Sequence, residues 1–390
     1  MKSLFISIIV SVVPCSDARV NHVNNVMGGI MRNKSVILIV SLAALCVACS
    51  KGRHDVNIIK MAPPHIEVFD ICIDSLNVVK LDTDPACLLY SIDNLEKAND
   101  NYYIHSNKYL RVFDRHGRFM YNVTNMGHGA KELMSMTNFF ISDNEVCVFD
   151  NIKGVFHYTL DGQYLKRSDF KESVLGKCVT RPYKLYPHGD GYVSINTYLD
   201  GGDLKAPALS IWNKKLDEFK TIKNLYKNTS FFFSDGLQTN NGKIIYWEPY
   251  SDTVYSVSNG VASVEYVFDM GDYALPKELH TPVEKVLYVN DQYKGKKFVG
   301  FPQYLQEYDG RLYFTCIYPI SESDNAYCLC EYDRNADHVR IARFVSNNNL
   351  VIQSFFKIIK GKVIMEIRDT GKIADNPCVM DEKLNTIFKQ

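Results

Sequence analysis

The chain is expected to be all-β: a six-bladed β-propeller built from antiparallel four-stranded blades. Three observations carry that expectation. Tyrosine and phenylalanine are abundant (25 and 21 of 390 residues) and sit in short alternating runs, the composition of strands rather than of paired helices. A unit consisting of an aromatic-rich strand followed by a turn recurs six times, at Phe113, Tyr158, Trp212, Tyr255, Tyr332 and Met380, with intervals of 45, 54, 43, 77 and 48 residues. A second marker, a tight-turn pair leading into a strand, also recurs six times: Asp100-Asn101, Asp143-Asn144, Asp190-Gly191, Asn241-Gly242, Asp309-Gly310 and Lys360-Gly361. The two sets interleave, and a period of about 40 to 50 residues made of several short strands is that of a propeller blade.

Along the chain, residues 1–30 read as an extension ahead of the true start at Met31. "MRNKSVILIVSLAALCVACS" has two basic residues, an apolar run and small residues before Cys49, the pattern of a signal peptide over residues 31–48. Its apolar run is too short to span a bilayer of about 30 Å. Val47-Ala48-Cys49 resembles the bacterial lipobox, which implies Cys49 as the lipid-attachment residue. Residues 49–65 are polar and broken by Pro63-Pro64, as a tether would be, and the propeller is expected over 66–390.

Within the propeller, "GVFHYTLDGQYLKR" and the preceding "NEVCVFD" read as three consecutive strands with turns at Asn151–Gly154 and Asp161-Gly162. Tyr103, Phe113, Phe149, Tyr158, Tyr246 and Tyr313 are expected to fill the spaces between blades. Ring closure is assigned to "HIEVFDICI" (residues 65–73), added to a last blade whose final strand would be "TIFKQ". The 77-residue interval holds an insertion, residues 271–295, with a short helix expected from Pro282 to Tyr288.

Three stretches resemble the six-bladed propeller lipoproteins of Bacteroides and its relatives, related in fold to the NHL and TolB-like propellers. They are "GHGAKEL" (Gly127 to Leu133), "SDTVYSV" with "YVFDMGDYALP", and "DNPCVM" (Asp375 to Met380). The first keeps Gly127, Gly129 and Glu132 of a Gly-x-Gly-Pro-Gly-Glu-Tyr loop and departs at Ala130, Lys131 and Leu133. The resemblance implies fold and envelope address, and its motifs look architectural. The glycines suit backbone conformation better than a phosphate cradle, which wants a strand, this loop and then a helix.

The charge balance excludes a nucleic-acid footprint: Lys+Arg and Asp+Glu both number 44, and 40 against 43 after residue 48. There is no HExxH or GxSxG motif. Cys328 and Cys330 fall on one face of a strand, and the cysteines after Cys49 read mainly as core thiols, with one or two disulfides admitted. His128 and His188 lie in loops. Asp200, Asp203, Asp235, Asp252 and Asp324 could converge to hold Ca²⁺, the one cofactor admitted; otherwise no cofactor is predicted and the metal ligands are unknown. "TRPYKLYPHGDGY" offers a candidate ligand surface in Arg181, Tyr183, Tyr186 and His188, where aromatic rings beside basic groups could stack on sugars or peptides. The expected role is a non-catalytic, lipid-anchored binding protein of the bacterial outer membrane, facing the periplasm or the surface, whose partner is a glycan, peptide or envelope protein. The alternative is a metal-assisted hydrolase or lyase acting on a sugar or lactone at the central channel.

Overall fold

The computed structural model describes residues 56–171, 174, 181–197, 209–222, 236–240, 243–247, 251–258, 260–274, 299–300, 302–319, 325–371 and 376–388. Six antiparallel sheets form the blades. From innermost strand outwards, blade 1 is Asn94–Ala98, Asn101–Ser106, Tyr109–Phe113 and Phe119–Asn122. Blade 2 is Met136–Ser142, Glu145–Asp150, Gly154–Thr159 and Tyr164–Asp169, and blade 3 is Arg181–His188, Gly191–Thr197, Leu209–Trp212 and Phe219–Ile222. Blade 4 runs Leu237–Asn240, Lys243–Trp247, Thr253–Ser258 and Val261–Asp269; blade 5 runs Gln303–Tyr308, Arg311–Pro319, Asn325–Asp333 and His338–Val345. Blade 6 has three consecutive strands, Leu350–Ile359, Lys362–Asp369 and Cys378–Lys383.

Both sequence markers land in one place per blade. The aromatic marker is the third strand, and the tight turn joins innermost to second strand, with Asn241-Gly242 of blade 4 lying outside the described residues. Those turns need left-handed backbone, which Asp143 and Asn144 (φ 52° and 59°) and the Asp309-Gly310 pair (48° and 75°) supply. Six apolar clusters fill the six seams between neighbouring blades, and each expected aromatic lies buried in one: Phe113 between blades 6 and 1, Tyr103 and Tyr158 between 1 and 2, Phe149 between 2 and 3, Tyr246 between 3 and 4, Tyr313 between 5 and 6. A buried aromatic of this size stabilises by about 2–3 kcal/mol relative to exposure, so the seams hold the ring together where, among the described residues, the blades are separate sheets with no strand ladder between them.

Closure differs from the expectation. Ile66–Cys72 does not join the last blade; it runs parallel to His338–Val345 on the outer edge of blade 5. The last blade is completed by the three-residue strand Val78–Lys80, antiparallel to Cys378–Lys383. "TIFKQ" is not a strand either: Leu384–Ile387 is a helical turn whose Leu384 and Ile387 are buried in the seam between blades 5 and 6. The tether boundary also moves. Asn57–Lys60 pairs in parallel with the outer strand of blade 4, and Ile59 and Met61 are fully buried in the seam between blades 4 and 5. The N-terminal segment thus covers two exposed strand edges before it closes the ring. Residues 1–55, with the expected signal and Cys49, lie outside the described residues, as do Pro282–Tyr288.

Of the seven described cysteines, six are buried and Cys72 is exposed. Cys328 and Cys330 share a face, both in the seam between blades 4 and 5.

Candidate ligand site at the channel mouth

In a propeller the innermost strands line the axis with one edge unpaired. Here side-chain amides bridge several of the gaps between them. Asn94 donates to the Phe139 carbonyl (2.8 Å), Asn138 donates to the Leu185 carbonyl (2.6 Å) and accepts from the Leu185 N–H (3.1 Å), and Gln306 accepts from the Ile358 N–H. The channel between them holds a cavity of about 360 Å³. Its acidic groups are engaged: Glu96 pairs with Lys357 at 2.5 Å, and Glu307 accepts from Lys243 (2.9 Å) and from the Tyr266 hydroxyl (2.5 Å).

At the end where the innermost strands begin, the channel opens into a larger cavity of about 610 Å³. Four of the six innermost strands carry an irregularity there, between Met136 and Asn138, Pro182 and Lys184, Gln303 and Gln306, and Ile352 and Phe356. Each leaves residues out of the ladder, and Thr137, Tyr183, Tyr304 and Gln353, one from each irregularity, all line this cavity. A bulge re-aims a side chain that regular pleating would point into a seam. Tyr304 goes further: its φ is +50°, a left-handed conformation that costs a bulky residue about 1–3 kcal/mol and persists where the surroundings impose it.

Polar groups complete the wall. Glu366, almost fully buried, accepts from the Ile92 N–H (3.1 Å) and from Arg368 Nε (2.8 Å); burial outweighs these partners and raises its carboxyl above the usual glutamate range. Arg368 also donates to the Tyr90 carbonyl at 2.5 Å. His105 Nε2 lies 2.7 Å from the Asn107 carbonyl, and Asp93 accepts from Ser91 and the Asn107 N–H. Thr137 Oγ1 is buried with no hydrogen-bond partner among the described residues.

Of the sequence-expected ligand surface, Tyr183 lines the mouth and Tyr186 lines the channel while packing into the seam between blades 3 and 4. His188 lines neither; burial lowers its pKa, and its Nδ1 is enclosed without a hydrogen-bond partner among the described residues. The Arg181 side chain lies outside the described residues. Lys184 belongs to both cavities. Lys184 is the second basic residue of the sequence-expected stretch, whereas Thr137, Tyr304, Gln353, Glu366 and Arg368 escape it; a run of alternating residues carries no local sign of where a bulge falls.

The other candidates are architectural or dispersed. A Cβ on Gly127 would meet Glu132 Oε2 at 2.1 Å, and that carboxylate accepts from the Gly129 N–H at 2.8 Å, so the loop is closed on itself. Asn376 of "DNPCVM" donates to the Asp82 and Cys87 carbonyls and accepts from the Leu89 N–H, pinning the segment that leads into blade 1. His128 is exposed. Asp252 sits in an exposed turn, accepting from the Thr253 hydroxyl at 2.8 Å, and the other four aspartates considered for Ca²⁺ lie outside the described residues.

Among solved structures, the chain is similar to an exported protein of Bacteroides fragilis NCTC 9343, with 15% identity, TM-score 0.59, and coverage of 83% of this chain and 99% of that one. It is also similar to a member of the DUF4221 family from Bacteroides vulgatus ATCC 8482, at 10% identity and TM-score 0.54, covering 78% and 96%. At these identities the likeness speaks to fold. No curated protein matches. A family profile matches residues 56–380, from the first blade-edge strand to the third strand of blade 6, and the chain therefore belongs to the family of the domain of unknown function DUF4934.

Proposed function

We propose that the protein is a non-catalytic binding module of the bacterial envelope that takes a glycan at the mouth of its channel. The observation that carries this is the set of four strand irregularities that bring Thr137, Tyr183, Tyr304 and Gln353 to one cavity. Two aromatic rings beside fixed hydroxyl, amide, imidazole and guanidinium groups suit the apolar faces and hydroxyl edges of a sugar. The volume falls within the roughly 300–1,000 Å³ of small-ligand sites.

The hydrolase or lyase alternative finds less support. The described carboxylates at the channel and mouth (Asp93, Glu96, Glu307 and Glu366) each have hydrogen-bonding or ionic partners. The address is part of the same proposal. A lipid on Cys49 would hold the domain at the outer membrane, in keeping with the exported B. fragilis relative, and kinship with NHL and TolB-like propellers is its evolutionary counterpart.

The test is a thermal-shift screen of the purified protein against bacterial and host glycans, peptides and divalent ions. A glycan at about 100 times its Kd adds roughly 2.7 kcal/mol to the folded state. Tyr304→Gly keeps the left-handed backbone and removes the ring, so it should abolish the shift measured from the variant's own starting midpoint, which also reflects the packing the ring gives to the seams between blades 5 and 6 and blades 6 and 1. A glycan shift retained in both Tyr304→Gly and Tyr183→Ala would place the site elsewhere, and a shift with peptides alone would change the ligand class.

A further inference from the structure

At the opposite end of the innermost strands, strand register assembles a second group of side chains. Cys147 and His157 are direct cross-strand partners in blade 2, and Glu145 lies two residues before Cys147, on the same face. His157 Nδ1 is 2.7 Å from Glu145 Oε2 and 3.6 Å from Cys147 Sγ, and the three ligand atoms lie within 4.8 Å of one another. They line a cavity of about 240 Å³ between blades 2 and 3, floored by the turns at Asp143 and Gly189–Gly191.

We propose that Glu145 Oε2, Cys147 Sγ and His157 Nδ1 bind a zinc ion, with the cavity supplying a fourth, solvent-side position. Tetrahedral zinc with bonds of about 2.0–2.3 Å sets its nitrogen and sulfur ligands roughly 3.6 Å apart, which is the separation found here. The Glu145–His157 contact is a hydrogen bond; replacing its proton with the ion opens it to roughly 3.4 Å, a movement available to Glu145, whose side chain is 27% exposed. Lys166 approaches the other carboxylate oxygen, Oε1, at 3.6 Å and leaves Oε2 free for the ion.

The far side of the ring is also prepared. Ser168 Oγ lies 3.3 Å from His157 Nε2 and would accept the Nε2–H of the tautomer that frees Nδ1, as outer partners of ligating histidines do. The proton balance follows: the imidazole proton moves from Nδ1 to Nε2, the Cys147 thiol proton leaves to solvent, and one proton is released per zinc bound. A cysteine–histidine–acid relay is a poor fit, because carboxylate and thiol both address the same ring nitrogen.

The full chain, stripped of metal with a chelator, should bind one Zn²⁺ in competition with a chromophoric indicator and release one proton, read from the dependence of binding heat on buffer ionisation. Co²⁺ should give a thiolate-to-cobalt charge-transfer band in the near ultraviolet. Cys147→Ser should weaken Zn²⁺ by about 100-fold and abolish the band, and Glu145→Gln by about tenfold; Cys72→Ser, at the exposed thiol, should change neither. Glu145→Gln alters a partly exposed group, so it reports even if Cys147→Ser fails to fold. Unchanged affinity in Glu145→Gln and His157→Gln, a cobalt complex without the thiolate band, or no zinc binding would each overturn the site.

Discussion

Asp381 on the third strand of blade 6 faces blade 1 across the seam where the ring closes, and Asp381→Asn tests how much of the closure is electrostatic. Its Oδ2 accepts from Lys97 Nζ and the Tyr102 hydroxyl of blade 1, both at 2.6 Å, and Lys362 Nζ lies 3.0 Å from Oδ1. The side chain is 2% exposed and that of Lys97 15%. Removing one partner of a buried pair costs about 3–5 kcal/mol, because the remaining charge stays desolvated. At about 2 cal/mol/K per residue, a domain running from Val56 to Gln390 unfolds with roughly 0.7 kcal/mol/K. The expected fall in midpoint is therefore about 4–7 °C. Burial pushes the Asp381 carboxyl up, but the hydrogen bonds from Lys97, Tyr102 and Lys362 prevail and hold it below the ordinary aspartate value. A depressed acid contributes stability above its unfolded pKa and loses it as pH falls through the folded one. Calorimetry of wild type and variant should show a constant gap from pH 6 to 8 that closes only below the usual aspartate range. A gap under about 0.5 kcal/mol at pH 7, or one that widens on acidification, would refute the buried network as the closure's clamp.

Three further outcomes can be checked on the same protein. Glu366 has the opposite sign: its folded pKa is raised by burial, so wild type should gain stability relative to Glu366→Gln as urea midpoints are taken from pH 7 towards pH 5, and a loss over that window would contradict it. Ile59→Ala should destabilise by about 2–5 kcal/mol, since this residue fills the seam between blades 4 and 5; no change in midpoint would return residues 56–61 to the tether. Alkylation of the native protein followed by peptide mapping should modify Cys72 well before Cys87, Cys147, Cys316, Cys328, Cys330 and Cys378, which are buried, and equal rates would contradict their burial.

The blades were legible because their signals are local. A pair such as Asp143-Asn144 declares left-handed backbone by its own chemistry, and the alternation in "GVFHY" declares a strand without knowledge of its partner. Closure was not legible for the converse reason. Val78–Lys80 is three residues long and takes its strand conformation from Cys378–Lys383, some three hundred positions away, while the longer alternating run Ile66–Cys72 is spent on the edge of blade 5. Alternation shows that a segment can pair but not with which edge. The same limit separated Cys147 from His157: the sequence placed them on adjacent strands, and only the register makes them opposite.

The mouth was the least legible part, and its position explains why. Second and third strands are paired on both sides, so a slip of one residue would turn every seam residue outwards. The innermost strand has a neighbour on one side only, and its axial edge meets adjacent blades through single contacts such as Asn94 to Phe139 and Asn138 to Leu185. Its first residues can leave the ladder at little cost to the seams, provided later ones return to register, as Asn138, Lys184, Gln306 and Phe356 do. Variation in which side chain reaches the axis is therefore cheapest where these strands begin. Sequence periodicity reports the constrained part of each blade, and a ligand-binding wall built from its unconstrained edge escapes that signal by the same physics that makes it adaptable.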